Sequence, residues 1–159
     1  MGNSNLRVVI GADHAGFPLK ATLVEELERL GHQASDVGAF SLNTLDDYPD
    51  FAKSVGERVA SKENHRGIII CGSGVGASVA ANKIRGVRAS VCHDTYSARQ
   101  GVEHDDMNIL CLGSRIVGED LAKKLIAAFL QAAFTGEERH QRRLDKVLMM
   151  DAERDRNNS

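Results

Sequence analysis

Gly67-Ile68-Ile69-Ile70-Cys71-Gly72-Ser73-Gly74-Val75-Gly76 is the stretch on which the fold turns. A strand over its first half would be apolar on both faces. That is the pattern of a central strand in a parallel sheet covered on two sides. Its second half has three glycines in five residues, which end the strand in a tight turn before a helical stretch at about 76–84. A strand, a glycine turn and a helix in that order open a β-α-β unit.

The same rhythm recurs on both sides. Residues 6–12 form an apolar run that ends at Gly11-Ala12-Asp13-His14. From 17 to 30 the period is helical: Leu19, Leu23, Leu27 and Leu30 share a stripe, with Lys20, Glu25, Glu26, Glu28 and Arg29 mostly outside it. Pro18 suits the first turn and Gly31 the residue after the last. Residues 33–37 read as a weak second strand ended by Gly38. After a loop containing Asp46-Asp47-Tyr48-Pro49, Asp50 can cap a helix whose Phe51, Ala52, Val55 and Val59 share a face. Strands at 87–92 and 108–112, and helices at about 95–103 and 118–133, complete the alternation. The pattern predicts a single α/β domain over 1–159, a three-layer α/β/α arrangement around a five-stranded parallel sheet, with its core at about 6–134. The charged tail at about 137–155 is helical in pattern, with Leu144, Val147, Leu148 and Ala152 on one stripe. Such a late helix is expected to dock on a partner subunit, and residues 156–159 are expected to fray.

Composition narrows the function classes. With 20 Lys+Arg against 22 Asp+Glu, the net charge of −2 argues against a generally basic nucleic-acid binder and an acidic disordered tail. No apolar run approaches the ~18 residues of a membrane helix. Met1-Gly2-Asn3-Ser4-Asn5-Leu6 has neither the basic nor the apolar region of a signal peptide, and Leu6 breaks the myristoylation pattern. Three widely spaced cysteines suit a reducing compartment, so a cytoplasmic protein is expected.

In an open parallel sheet, ligands bind beyond the carboxyl ends of the strands. Asp13 and His14 follow the first strand, Cys71 to Gly76 the third, His93-Asp94 the fourth and Gly113-Ser114-Arg115 the fifth. The backbone N–H groups of Gly72, Ser73, Gly74, Val75 and Gly76 can turn inward ahead of a helix start and form an anion site. The glycine spacing matches neither a Walker loop nor a dinucleotide fingerprint; a plain strand-to-helix turn is the competing reading. A thiolate at Cys71 could serve as nucleophile or base, whereas Cys92 and Cys111 read as small buried hydrophobes. The adjacent residues of His93-Asp94 and of His104-Asp105-Asp106 rarely converge on one ion, and no metal is expected. Arg139, His140, Arg142 and Arg143 form either a solvated helix face or a phosphate clamp.

Many separate motifs then agree with one family. Gly11-Ala12-Asp13-His14-Ala15-Gly16-Phe17, Asp47-Tyr48-Pro49-Asp50, the run from Cys71 to Gly76 and Ala80-Ala81-Asn82-Lys83 resemble ribose-5-phosphate isomerase B. So do Ser97-Ala98, Glu103-His104, Asn108, Gly113-Ser114-Arg115, and Arg139-His140 with Arg143, in order and spacing over about 6–148. The resemblance implies a Rossmann-like domain and a homodimer or dimer of dimers with shared active sites. It also implies interconversion of ribose 5-phosphate and ribulose 5-phosphate without metal or organic cofactor. By position, Cys71 would move the proton between C2 and C1, and His104 would assist ring opening. Asp13 and Ser73 would contact the sugar hydroxyls. The backbone from Gly72 to Gly76 would hold the enediolate oxygen, and His14, Arg115, Arg139 and Arg143 the phosphate. Ser73 stands where the family usually has Thr, which keeps the hydroxyl. Asp105 stands where it commonly has Asn, so a donor has become an acceptor when ionised and sugar preference could shift. Thr135-Gly136-Glu137-Glu138 replaces the usual paired glycines ahead of the clamp. Ala77-Ser78-Val79 offers no carboxylate to replace Cys71 as base. The alternatives are the same chemistry on a six-carbon sugar phosphate such as allose 6-phosphate, or on a free sugar. A sugar-phosphate-binding module without catalysis and a flavodoxin-like nucleotide binder stand further off.

Overall fold

Ile68 and Ile70 pack into one buried cluster and Ile69 and Cys71 into another, so the strand at the centre of the chain is covered on both faces. The computed structural model describes residues 5–159; the N-terminal reading of residues 1–4 lies outside them. Its elements are β1 Arg7–Ala12, α1 Phe17–Arg29, β2 Gln33–Asp36, α2 Tyr48–Ala60, β3 Arg66–Cys71 and α3 Val75–Ala81. They continue with β4 Ala89–Val91, α4 Thr95–Asp105, β5 Ile109–Gly113, α5 Glu119–Gln131 and α6 Glu138–Asn157. All strand pairs are parallel, in the order β2-β1-β3-β5-β4. Leu19, Leu23 and Leu27 of α1, Ala98 and Val102 of α4, and Leu125, Ile126 and Phe129 of α5 cover one face. Ala52, Val55 and Val59 of α2, with Ala77 and Ala81 of α3, cover the other. This is the expected three-layer α/β/α arrangement. Among the described residues, no helix is long and apolar enough to cross a membrane.

Several boundaries differ from the sequence reading. Helix α2 starts at Tyr48, ahead of Asp50, because Pro49 fits its first turn. Asp47 occupies the cap position without a side-chain cap hydrogen bond, and Asp50 lies inside the first turn, where its charge suits the helix dipole. Lys20 and Glu26 are buried, not outside the α1 stripe. Lys20 Nζ reaches both oxygens of Asp36 at 2.7 and 2.8 Å and donates to the Ala39 carbonyl at 2.5 Å, so its charge is paired where it is buried. Strand β4 keeps only three residues and forms a sheet edge. Asn82, part of a motif quoted for the family, holds that edge: Ala89 N–H donates to Asn82 Oδ1 at 2.9 Å, and Asn82 Nδ2 donates to Ala89 O at 2.8 Å. Helix α6 runs past the expected end to Asn157, tied down by Arg85 to Asp155 at 2.7 Å and by Arg154 donating to Lys83 O at 2.8 Å. It docks on its own chain through His140 and Leu144, while Val147, Leu148, Met149 and Met150 stay exposed.

His32 carries a pH-dependent share of stability. It is buried, and its Nδ1 accepts Leu6 N–H at 3.2 Å. Burial, followed by the charge of Arg66, holds this imidazole below the usual histidine range. A base depressed in the folded state contributes stability above its unfolded value, about 6.5, and loses it as pH falls through the folded value. The melting temperature is therefore expected to fall as pH drops from about 7 to about 5, with a shallower slope in His32→Gln. A His32→Gln chain that keeps the full slope assigns the effect to other groups.

Candidate functional site

Strands β1 and β3 leave the sheet centre in opposite directions, β1 toward β2 and β3 toward β5. The crevice at their carboxyl ends is the switch point where open α/β sheets bind ligands. Asp13 follows β1 there and Cys71 ends β3. A cavity of about 330 Å³ opens between them, lined by Asp13, Tyr48, Cys71, Ser73, Arg115 and Ile116 over the glycine turn.

Cys71 is only 4% exposed, yet it lines this cavity as well as packing into the core. Gly74 N–H donates to Sγ at 3.1 Å, and Val75 N–H donates to Ser73 Oγ at 3.2 Å. The N–H groups of Gly72 and Ser73 bond to no described residue. Gly74 adopts φ +80°, a left-handed turn that glycine enters at little cost, and helix α3 begins directly after it. The β5 end clasps the loop: Ser114 N–H donates to Cys71 O at 2.8 Å, Arg115 N–H to Gly72 O at 3.1 Å, and Ser114 Oγ to Ala15 O at 2.7 Å. The Arg115 guanidinium lies over Gly72, where an added Cβ would meet Nη1 at 3.2 Å.

The first strand end is equally built. Asp13 is buried, and its Oδ1 accepts Ala15 N–H at 3.0 Å and Gly16 N–H at 3.2 Å. Asp46 Oδ1 accepts His14 N–H at 3.0 Å and lies 2.6 Å from His14 Nδ1. Asp13, His14 and Asp46 each place one atom within 4.8 Å of the others; the closest pair is that hydrogen bond.

The three thiols differ by environment. Burial, above all other causes, raises the Cys92 and Cys111 thiols, Cys111 far beyond neutral pH. These two are packing groups, as expected. His93 and Asp94 are also occupied: Gly113 N–H donates to His93 Nε2 at 3.0 Å, and Asp94 caps α4 by accepting Ser97 N–H at 2.6 Å. Asp106 Oδ2 accepts from Arg88 at 2.9 Å.

The remaining candidates gather elsewhere. Helix α4 returns antiparallel to the strands, and its 11 residues carry the chain ~16 Å, so His104 and Asp105 sit at the opposite end of the sheet from Cys71. There the His104 and His140 rings stack at 3.9 Å. Gln100 Nε2 faces His104 Nδ1 at 2.7 Å, and Thr135 Oγ1 faces His140 Nδ1 at 2.7 Å. Burial, then the charges of His104 and Arg139, lowers the His140 pKa. Arg139 pairs with Glu137 at 3.3 Å. Asp105 and Arg143 line a second, larger cavity of about 590 Å³ between β4, α4 and α6, walled by Leu144, Val147 and Met150. The two cavities share no lining residue.

A single chain thus joins Cys71, Ser73, Asp13 and Arg115 in one place and His104, Asp105, Arg139 and Arg143 in another. Asp46 and Tyr48 were given no role by the sequence reading. The Tyr48 ring lies so close to α3 that a Cβ on Gly76 would meet Cζ at 2.6 Å. The available signal was the quoted run around Asp47-Tyr48, in a chain with only two tyrosines.

Known proteins resemble this chain in sequence and in fold. A family model described as Ribose/Galactose Isomerase matches residues 8–147. Ribose-5-phosphate isomerase B of Escherichia coli (strain K12) is 43% identical over 148 residues, 93% of this chain and 98% of that protein. D-erythrulose-4-phosphate isomerase 2 of Mycolicibacterium smegmatis is 40% identical over 131 residues, 81% of this chain and 86% of that protein. The crystal structure of ribose-5-phosphate isomerase B from Mycoplasma genitalium with bound ribulose-5-phosphate matches with a TM-score of 0.89 at 38% identity, covering 95% of this chain and 99% of that one. The chain belongs to the ribose/galactose isomerase family, among its ribose-5-phosphate isomerase B members, and is an isomerase.

Proposed function

We propose that the chain interconverts ribose 5-phosphate and ribulose 5-phosphate through an enediolate, with Cys71 as the base. The observation that carries this reading is that Cys71 lines a cavity shared with Asp13, Ser73 and Arg115. Removing the C2 proton builds negative charge on the C1 oxygen. The unpartnered Gly72 and Ser73 amides, beside the start of α3, suit that charge without rearranging. Asp13 and Ser73 orient the sugar hydroxyls, and His14 and Arg115 take the phosphate. Binding there, away from the reacting carbons, positions the substrate. The names of the relatives support the substrate class: pentose phosphate for the Escherichia coli protein and the ligand of the Mycoplasma genitalium structure, a four-carbon phosphate for the Mycolicibacterium protein.

His104 is the ring-opening proton donor in this reading. Gln100 at Nδ1 leaves the proton on Nε2. Because His104 sits at the far end of the sheet, the site is completed by a second copy of the chain. That copy brings His104, Asp105, Arg139 and Arg143 to Cys71, in a homodimer or dimer of dimers. The exposed Val147, Leu148, Met149 and Met150 of α6 provide apolar surface for such docking. No metal or organic cofactor enters the reaction, and the three free cysteines fit a cytoplasmic setting.

Turnover in D₂O tests the chemistry: ribulose 5-phosphate is expected to carry deuterium at C1, and persistent absence of label would point to a hydride shift instead. Subunit mixing tests the shared site. Cys71→Ala and His104→Ala chains, each inactive alone, are expected to recover about a quarter of wild-type activity when randomly mixed, because one of two sites in each mixed dimer is intact. No recovery, despite proven exchange of subunits, places both residues in one chain's site.

A further inference from the structure

We infer that Asp46 is a positioning residue of the phosphate subsite, holding His14 in the orientation and charge state that binds a phosphate oxygen. The inference rests on the sugar-phosphate reading above. Asp46 lies in the loop between β2 and α2, where Leu42 and Leu45 are exposed. Its own side chain is only 11% exposed. Oδ1 receives both hydrogen bonds from His14, and Oδ2 is buried with no partner among the described residues. A carboxylate so placed needs a counter-charge. Among the described residues, His14 is the one basic side chain within ion-pair distance of it. With Nδ1–H on Asp46, a neutral imidazole would present a lone pair at Nε2 and repel a phosphate oxygen. The imidazolium presents a second N–H instead. His14 keeps 29% of its side chain exposed, and its Nε2 bonds to no described residue. It follows Asp13 directly in the chain, and Asp13 lines the cavity of Cys71 and Arg115. Asp46 and His14 are 32 residues apart, and their contact also fixes the β2–α2 loop against the end of β1.

That second effect is the competing explanation, a purely structural clip, and Asp46→Asn separates the two. An asparagine oxygen can still accept from Nδ1–H and close the loop, but the charge is gone. The expected result is a rise of about tenfold in KM for ribose 5-phosphate and in the inhibition constant of inorganic phosphate, with kcat within about twofold and an unchanged melting temperature. In a His14→Ala background the same substitution is expected to change neither constant further. Unchanged constants in Asp46→Asn, or an undiminished effect without His14, overturn the inference. Should the wild-type chain neither turn over sugar phosphates nor bind inorganic phosphate, the functional reading fails and takes this one with it. Wild-type turnover beside an unaltered Asp46→Asn removes the positioning role alone.

Discussion

Cys71→Ala is expected to lower kcat by about 10²–10⁴-fold, the usual contribution of a positioned general base, with the chain still folded. The sulfur is the one group at the carboxyl end of β3 that can take a proton, since Ala77, Ser78 and Val79 in the following helix offer no carboxylate. Its loss removes the Gly74 N–H contact at 3.1 Å and a little buried volume beneath α3, a change of about 1 kcal/mol in stability. KM is expected to move little, because the phosphate contacts are assigned to other side chains. Steady-state kinetics with a thermal melt on the same preparation check this. A variant with kcat within tenfold of wild type would falsify the assignment of the base while leaving the fold and family untouched. Cys92→Ala and Cys111→Ala are the internal comparison. Neither thiol lines the cavity of Cys71, so their loss should register in the melt and not in kcat.

Gly113→Ala tests the loop by pure sterics. A Cβ at Gly113 would stand 2.7 Å from the carbonyl carbon and oxygen of Ser73 and 2.8 Å from its Cα. All three are backbone atoms, so no flexible side chain can yield. The loop carrying Ser73 must retreat from β5 by nearly 1 Å, and a misplacement of that size costs ~10²-fold in rate when catalysis depends on position. The overpacking itself costs ~1–3 kcal/mol. The expected outcome is a fall in kcat far larger than a two-state loss of folded protein at assay temperature explains. Gly118→Ala is the control, since its added Cβ meets nothing within 4 Å. Full activity in Gly113→Ala would mean that the amides of this loop need not be held where they are, which removes the oxyanion role.

Legibility in the sequence followed the range of the interaction. The Leu19, Leu23 and Leu27 stripe, the doubly apolar β3 and the glycine turn after it are local patterns, and each predicted element is present. The strand-end residues Asp13, Cys71, Ser73 and Arg115 meet at one cavity, because a parallel sheet brings all its carboxyl ends to one side. Lys20 was misread as a surface residue because its partner Asp36 lies 16 positions away. Periodicity sees a charge but not the countercharge that allows its burial. Asp94 and His93 were counted among reactive groups, and both serve structure, as cap and as acceptor.

Period, glycine placement and order along the chain were enough to determine the layers of this protein, the sidedness of its helices and the thiol that ends its central strand, since each depends on neighbours within a few residues. Only the tertiary structure decided the order β2-β1-β3-β5-β4, the seating of Tyr48 on Gly76, and the pairing of Asp46 with His14. It also decided that His104 and Asp105 lie a helix length from Cys71 on the same chain. Such distances are set by how helices pack across a sheet, and no local pattern encodes which strand end a returning helix finally faces.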